Sequence, residues 1–157
     1  MLIYTGLVLC YLIFLGLSSD ILHIETRQTE FVDTGSVDYY SCHEHDCAYL
    51  LNTLLNNTRD AKCAFYEFNP TLIDIPDQAD VLLFEENHET RGEENIHGVS
   101  SKGLMHHKFC VLDDGGVLTG TWNPTTRGTY ANDNSIVLIK SPVIADLYTR
   151  ESERLEQ

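Results

Sequence analysis

Between positions 106 and 123 the chain reads HHKFCVLDDGGVLTGTWN, two short apolar runs either side of Asp114-Gly115-Gly116. A turn of that composition between strand-forming runs commits the segment to a hairpin. The strand period of two puts His106 and Lys108 on one face of the first run and Phe109 and Val111 on the other. The returning run ends in Gly120-Thr121-Trp122-Asn123, which brings a hydroxyl and a carboxamide to its end. Imidazole, ammonium, amide and hydroxyl together suit a phosphate diester.

The rest of the chain supplies the elements of an α/β domain with a mixed sheet. Strand-like runs cover residues 37–41, 63–68, 79–84, 106–112, 116–120 and 135–140. Asp46 is placed to cap a helix whose Cys47, Leu50, Leu51, Leu54 and Leu55 keep a 3.6 period. Ser141-Pro142 supplies an N-cap and an N1 proline for a last helix with Ile144, Leu147, Tyr148 and Leu155 as its buried stripe. Residues 85–102 are polar and acidic without an apolar face and are expected to form an exposed loop. No internal repeat is present.

The hairpin residues resemble the signature of the phospholipase D superfamily, H-x-K-x4-D-x6-G-[ST]-x-N, met here by His106, Lys108, Asp113, Gly120, Thr121 and Asn123 with every spacing kept. The run from Gly103 to Phe109 is similar to the membrane-anchored, single-motif endonucleases, and Asp133 stands where such members usually carry glutamate. The resemblance implies a phospholipase D-like mixed β-sheet flanked by helices and a site completed by homodimerisation. It implies further that His106 attacks phosphorus while the partner subunit's His106 protonates the leaving oxygen, without a cofactor or metal. Lys108, Asn123 and Thr121 would hold the non-bridging oxygens, and Asp133 would orient the imidazole. Asp113, on the opposite strand face or at its end, is expected to tie the following turn. His107 has no place in the motif, and Trp122 is expected in the core rather than under a nucleic-acid base.

One departure concerns residues 69–78. The family has a crossover helix here, but Pro70 and Pro76 leave space for one turn at most, so the connection is either trimmed to a loop or degenerate.

Residues 1–17 carry no charge and approach the lower length limit for spanning a bilayer, about 17 to 25 residues, so they are expected to form an N-terminal transmembrane anchor, or else a signal segment of a secreted chain. Residues 18–36 follow as a linker, and the globular domain is expected over 37–157. The formal charge of −14 opposes tight, non-specific binding to polynucleotides. Single-stranded DNA or RNA is nonetheless the expected substrate by resemblance, with phospholipid, or a non-catalytic phosphate-binding role, as the alternatives. An acidic chain with four lysines among ten basic residues also suits a high-salt medium. Beyond Cys10, the cysteines Cys42, Cys47, Cys63 and Cys110 are even in number. In the run from Cys42 to Cys47 a disulfide or two free thiols is expected ahead of zinc, because its spacing is not that of a zinc site.

Overall fold

Pairing of the strand runs is decided by which faces they must bury. The computed structural model describes residues 35–84, 95–99 and 103–157. The strands are β1 (Ser36–Ser41), β2 (Ala61–Phe65), β3 (Ala79–Phe84), β4 (Ile96–Val99), β5 (Lys108–Leu112), β6 (Gly116–Gly120) and β7 (Ser135–Lys140). The helices are α1 (Cys47–Asn57), α2 (Thr126–Tyr130) and α3 (Pro142–Leu155). The strands form one mixed sheet in the order β1-β7-β6-β5-β2-β3-β4, with β2, β3 and β4 mutually parallel and the other pairs antiparallel.

The central strands are apolar on both faces, and their alternation sorts the core into two layers. Cys63, Phe65, Cys110, Leu112 and Leu118 bury on one face with Ala48, Leu51 and Leu55 of α1. Ala64, Phe109, Val111 and Val117 bury on the other with Ala145 of α3, beside Ile144, Tyr148 and Leu155. Leu147 was expected in that stripe but is 45% exposed; the helix instead turns the small residues Ala145 and Ser152 inward, which lets it approach the sheet closely. Both expected caps form. Tyr49 N–H donates to Asp46 Oδ1 at 2.9 Å, and Ile144 N–H donates to Ser141 Oγ at 3.1 Å.

Several boundaries differ from expectation for reasons of pairing. β2 begins at Ala61 and leaves the ladder after Phe65, where its partner β5 begins at Lys108. Residues 66–68 were expected in the strand and lie beyond it; Tyr66 N–H still reaches the His107 carbonyl at 3.1 Å. Likewise His106 and His107 precede β5 rather than belonging to it. The acidic segment expected to be wholly a loop contains β4, whose Ile96 and Val99 are buried while His97 and Gly98 are exposed. That pattern lacks a period of two, and the strand is held by main-chain pairing to β3 and by Asn95, which donates to the carbonyls of Pro76 and Ala79. α2 was not expected; its Gly128 and Thr129 are poor helix formers, and Thr125 caps it by accepting from Gly128 N–H.

The connection from β2 to β3, residues 66–78, is a non-helical loop, so the crossover is trimmed. It offers roughly the dozen residues that a parallel connection needs. Its backbone is satisfied individually: Asn52 donates to the Leu72 carbonyl and accepts from Asp74 N–H, while Asn69 N–H donates to the Pro124 carbonyl. Ile73 is buried beneath it.

Residues 1–17, and all of 18–36 except 35 and 36, lie outside the described residues. Among those described, no helix is long and apolar enough to cross a membrane.

Candidate active site

Strand directions gather one end of the sheet. The start of β5, the ends of β6, β2 and β1 and the start of β7 share an edge, because Lys108 pairs with Phe65, Gly120 with Ile136 and Ser41 with Ser135. This edge carries His106, Lys108, Thr121 and Asn123.

His106 is exposed, just ahead of β5, with its ring centroid 4.9 Å from that of Tyr66 at 54°. Lys108 Nζ donates to the His106 carbonyl at 3.1 Å and lies 5.4 Å over the same Tyr66 ring. Partial burial pushes the Lys108 ammonium below the usual lysine pKa, while the Glu67 carboxylate pulls the other way. Asn123 reaches the same corner, its Oδ1 accepting from Glu67 N–H at 3.3 Å, and its amide nitrogen has no acceptor among the described residues.

Gly120 and Thr121 knit β6 to β7. A Cβ on Gly120 would stand 2.2 Å from the Ser135 carbonyl oxygen and 2.9 Å from Ile136 Cα, so only glycine permits this approach. Thr121 N–H donates to the Ser135 carbonyl at 3.0 Å, and its Oγ1 donates to Asn134 Oδ1 at 3.0 Å and accepts from Ser135 N–H at 3.1 Å. Trp122 is buried, donating from Nε1 to Thr129 Oγ1 at 3.1 Å, and is a core residue as expected.

Two motif-associated acids fall elsewhere. Asp113 lies five residues along β5 from Lys108, about 16 Å away at a strand rise of ~3.3 Å. It accepts from Thr58 Oγ1 at 2.6 Å and pairs with Arg59 at 3.4 Å. The Thr58 hydrogen bond, with help from Arg59, holds its carboxyl below the usual range. It therefore braces the link between α1 and β2, and the following turn is tied instead by Asp114, which accepts from Gly116 N–H and pairs with Lys140. Asp133 lines a recess of about 280 Å³ with Tyr39, Ser41, His43, Thr121, Asn134 and Ser135. Among the described residues no hydrogen bond or ion pair joins it to His106, so the imidazole is flanked by Tyr66 rather than by this acid.

His107 alternates to the opposite face, packs edge-on against Phe109 and meets Glu151 of α3 at 2.8 Å. Its role there is to hold α3 to the sheet. Arg127 is exposed, and Lys102 lies outside the described residues.

Cys42 and Cys47 form a disulfide, and so do Cys63 and Cys110, which face each other across β2 and β5. The first bond removes the two thiolates that zinc would have needed. Among the described residues no three His, Cys, Asp or Glu side chains group as a metal site.

Tyr66 and Glu67 were not anticipated. They stand forty residues from the motif, and only the β2–β5 register brings them to it. An aromatic-acid pair closing an apolar strand was the available local signal.

The family model described as cardiolipin synthase, PLD-like domain, matches residues 53–156. The mitochondrial cardiolipin hydrolase of Xenopus tropicalis is 46% identical over 57 residues, 36% of this chain and 27% of that protein. Its Xenopus laevis counterpart is 44% identical over 55 residues, 35% and 26% of the two chains. The chain thus spans about a quarter of the length of these curated relatives. Among solved structures, Nuc from Salmonella typhimurium, described as a phospholipase D family member, superposes with a TM-score of 0.64 at 16% identity, covering 77% of this chain and 93% of that one. NucT from Helicobacter pylori gives 0.60 at 14% identity, with 77% and 95% coverage. At such identities the likeness is one of fold.

Proposed function

The chain belongs to the phospholipase D superfamily, and from that premise we propose that it is a phosphodiester-cleaving hydrolase that works through a phosphohistidine, with single-stranded DNA or RNA as its substrate. The observation that carries this reading is that His106 and Lys108 both lie against Tyr66 while Asn123 bonds the adjoining Glu67 N–H, at one end of the sheet.

An imidazole nitrogen of His106 attacks phosphorus, forming the N–P bond as the bond to the leaving oxygen breaks. The Lys108 ammonium and the Asn123 amide N–H groups stabilise the charge that develops on the non-bridging oxygens. The partner subunit's His106, in a homodimer, gives its proton to the leaving oxygen. It then takes one from water as that water displaces the first imidazole, restoring both histidines. Every charge change is met by a side chain, so the scheme needs no metal ion. Thr121, bonded to Asn134 and Ser135, serves to hold the turn that aims Asn123.

An edge open to solvent suits a phosphate in an extended, hydrophilic chain. A phospholipid substrate is the second reading, favoured by the 46% identity to a protein named mitochondrial cardiolipin hydrolase and by the uncharged residues 1–17, which would hold the site at a membrane.

The test uses the full chain in detergent or vesicles with excess chelator, beside His106→Ala. The substrates are bis(p-nitrophenyl) phosphate, labelled single-stranded DNA and RNA, and cardiolipin-containing vesicles. Chelator-resistant cleavage abolished by the substitution supports the hydrolase, and the polymer outpacing the lipid supports the nuclease. Lipid cleavage alone overturns the choice of substrate. Turnover that survives in His106→Ala, or none in a chain demonstrated to be dimeric, overturns the mechanism.

A further inference from the structure

Tyr66 is the aromatic side chain at the centre of the site, and nothing in the motif accounts for it. It sits one residue past the end of β2, where its N–H is bonded to the His107 carbonyl, so its backbone is registered directly against the start of β5. From that position one ring meets both groups on which the proposed chemistry depends. The His106 imidazole lies against it at 4.9 Å, tilted by 54°, and the Lys108 ammonium stands over it at 5.4 Å.

We propose that Tyr66 is a positioning residue for this site: its ring face holds the His106 imidazole at the attack angle and seats the Lys108 ammonium beside it. The inference rests on the phosphohistidine reading for its catalytic consequence, though not for the positioning itself.

The physical need is specific. His106 precedes the β5 ladder and is exposed, and among the described residues no carboxylate or other hydrogen-bond partner selects its rotamer. A nucleophile free to turn reacts slowly, because productive attack requires a near-aligned approach. A tilted ring packed against the imidazole narrows that freedom without competing for either ring nitrogen, as a hydrogen-bonding partner would. The same ring attracts the ammonium through its negative face, an interaction that strengthens as water is excluded. Partial burial that lowers the Lys108 pKa is consistent with such a seat. Tyr66 also packs against the α3-side core, which restrains it if its two neighbours move.

The ring face, rather than the hydroxyl, carries the effect. Tyr66→Phe keeps the face, and Tyr66→Leu removes it at modest cost in volume. In the full chain, with bis(p-nitrophenyl) phosphate as substrate, Tyr66→Leu is expected to lower kcat about tenfold with KM within about twofold, and Tyr66→Phe to stay within about twofold of the parent in both. Equal thermal midpoints for the two variants separate positioning from folding.

A second measurement does not depend on turnover. The ring current of Tyr66 shifts the His106 imidazole proton resonances. Those shifts, and the affinity for inorganic phosphate read by titrating them, should survive Tyr66→Phe and be lost in Tyr66→Leu. A leucine variant with parental kcat, imidazole shifts and phosphate affinity overturns the proposal, and so does a phenylalanine variant as impaired as the leucine one. Should the parent chain prove no faster than His106→Ala, the phosphohistidine reading fails by itself. The imidazole shifts and phosphate affinity then decide the positioning role, retention in Tyr66→Leu refuting it and loss supporting it.

Discussion

Gly120→Ala tests the link between strand pairing and the site. Its added Cβ would lie 2.2 Å from the Ser135 carbonyl oxygen, and real Cβ contacts essentially never fall below 3.0 Å, so β6 and β7 must part by at least 0.8 Å, the difference between the two. Both neighbours are backbone, and no rotamer change relieves the clash. Parting the strands stretches the Thr121 N–H to Ser135 carbonyl bond from 3.0 Å, and the Ser135 N–H to Thr121 Oγ1 bond from 3.1 Å, past the ~3.2 Å at which such bonds weaken. Two lost hydrogen bonds at about 1 kcal/mol each, with overpacking of about 1–3 kcal/mol, give an expected destabilisation of about 3–5 kcal/mol. Asn123 follows on the displaced turn, and an ångström of misplacement is worth on the order of a hundredfold in rate. Urea denaturation measures the first quantity and kcat on bis(p-nitrophenyl) phosphate the second. Gly103→Ala is the control, since a Cβ there meets nothing within 4 Å among the described residues, and it should change stability by less than about 0.5 kcal/mol. A Gly120→Ala chain within about 1 kcal/mol of the parent and equally active would refute the argument that close approach of β6 and β7 holds the site together.

Three further outcomes follow from contacts elsewhere. In the proposed scheme Lys108 acts as a cation, and its pKa is lowered, so activity should fall as pH rises through a value below that of free lysine. Removing the Glu67 charge with Glu67→Gln should move this alkaline limb lower still, and a pH profile of kcat/KM in which the limb is unmoved or rises would contradict the pairing. The loops closed by Cys63–Cys110 and Cys42–Cys47, 47 and 5 residues in separation, should contribute about 4 and about 2 kcal/mol through restriction of the unfolded chain. Urea midpoints before and after reduction measure this, and alkylation of the unfolded, unreduced chain should label Cys10 alone among five cysteines. Thr129→Val leaves the buried Trp122 N–H without its acceptor and should cost about 1–3 kcal/mol, read as a lowered urea midpoint; an unchanged midpoint would contradict a stabilising role for that bond.

Much of the candidate site was legible in residues 106–123. The turn at Asp114-Gly115-Gly116 and the alternation that sends Phe109 and Val111 to one face depend on neighbours one and two residues away, and both are present in the hairpin of β5 and β6, although His106 lies ahead of the strand. The same holds for the helix starts at Asp46 and Ser141-Pro142, because a cap is a bond to a backbone N–H three residues on. The alternation also sends His107 to the α3 face, although its partner Glu151 could not be read from it.

Local pattern was silent wherever a residue's place depends on a partner far along the chain. β4 is a strand because β3 offers it an open edge, although its own sequence has no period of two. Tyr66 and Glu67 join the site because Phe65 pairs with Lys108, and the trimmed crossover holds because Asn52, Asn69 and Asn95 satisfy its backbone and that of its neighbours one group at a time. The same register pairs Cys63 with Cys110 and sets Asp113 at the far end of the strand from Lys108. Sequence alone determined which chemical groups the hairpin presents and that both sheet faces seek burial, since those follow from residue type and period. Tertiary structure decided which strands lie side by side, because register emerges from the competition of all apolar faces for a common core, and that register brings Tyr66 against His106.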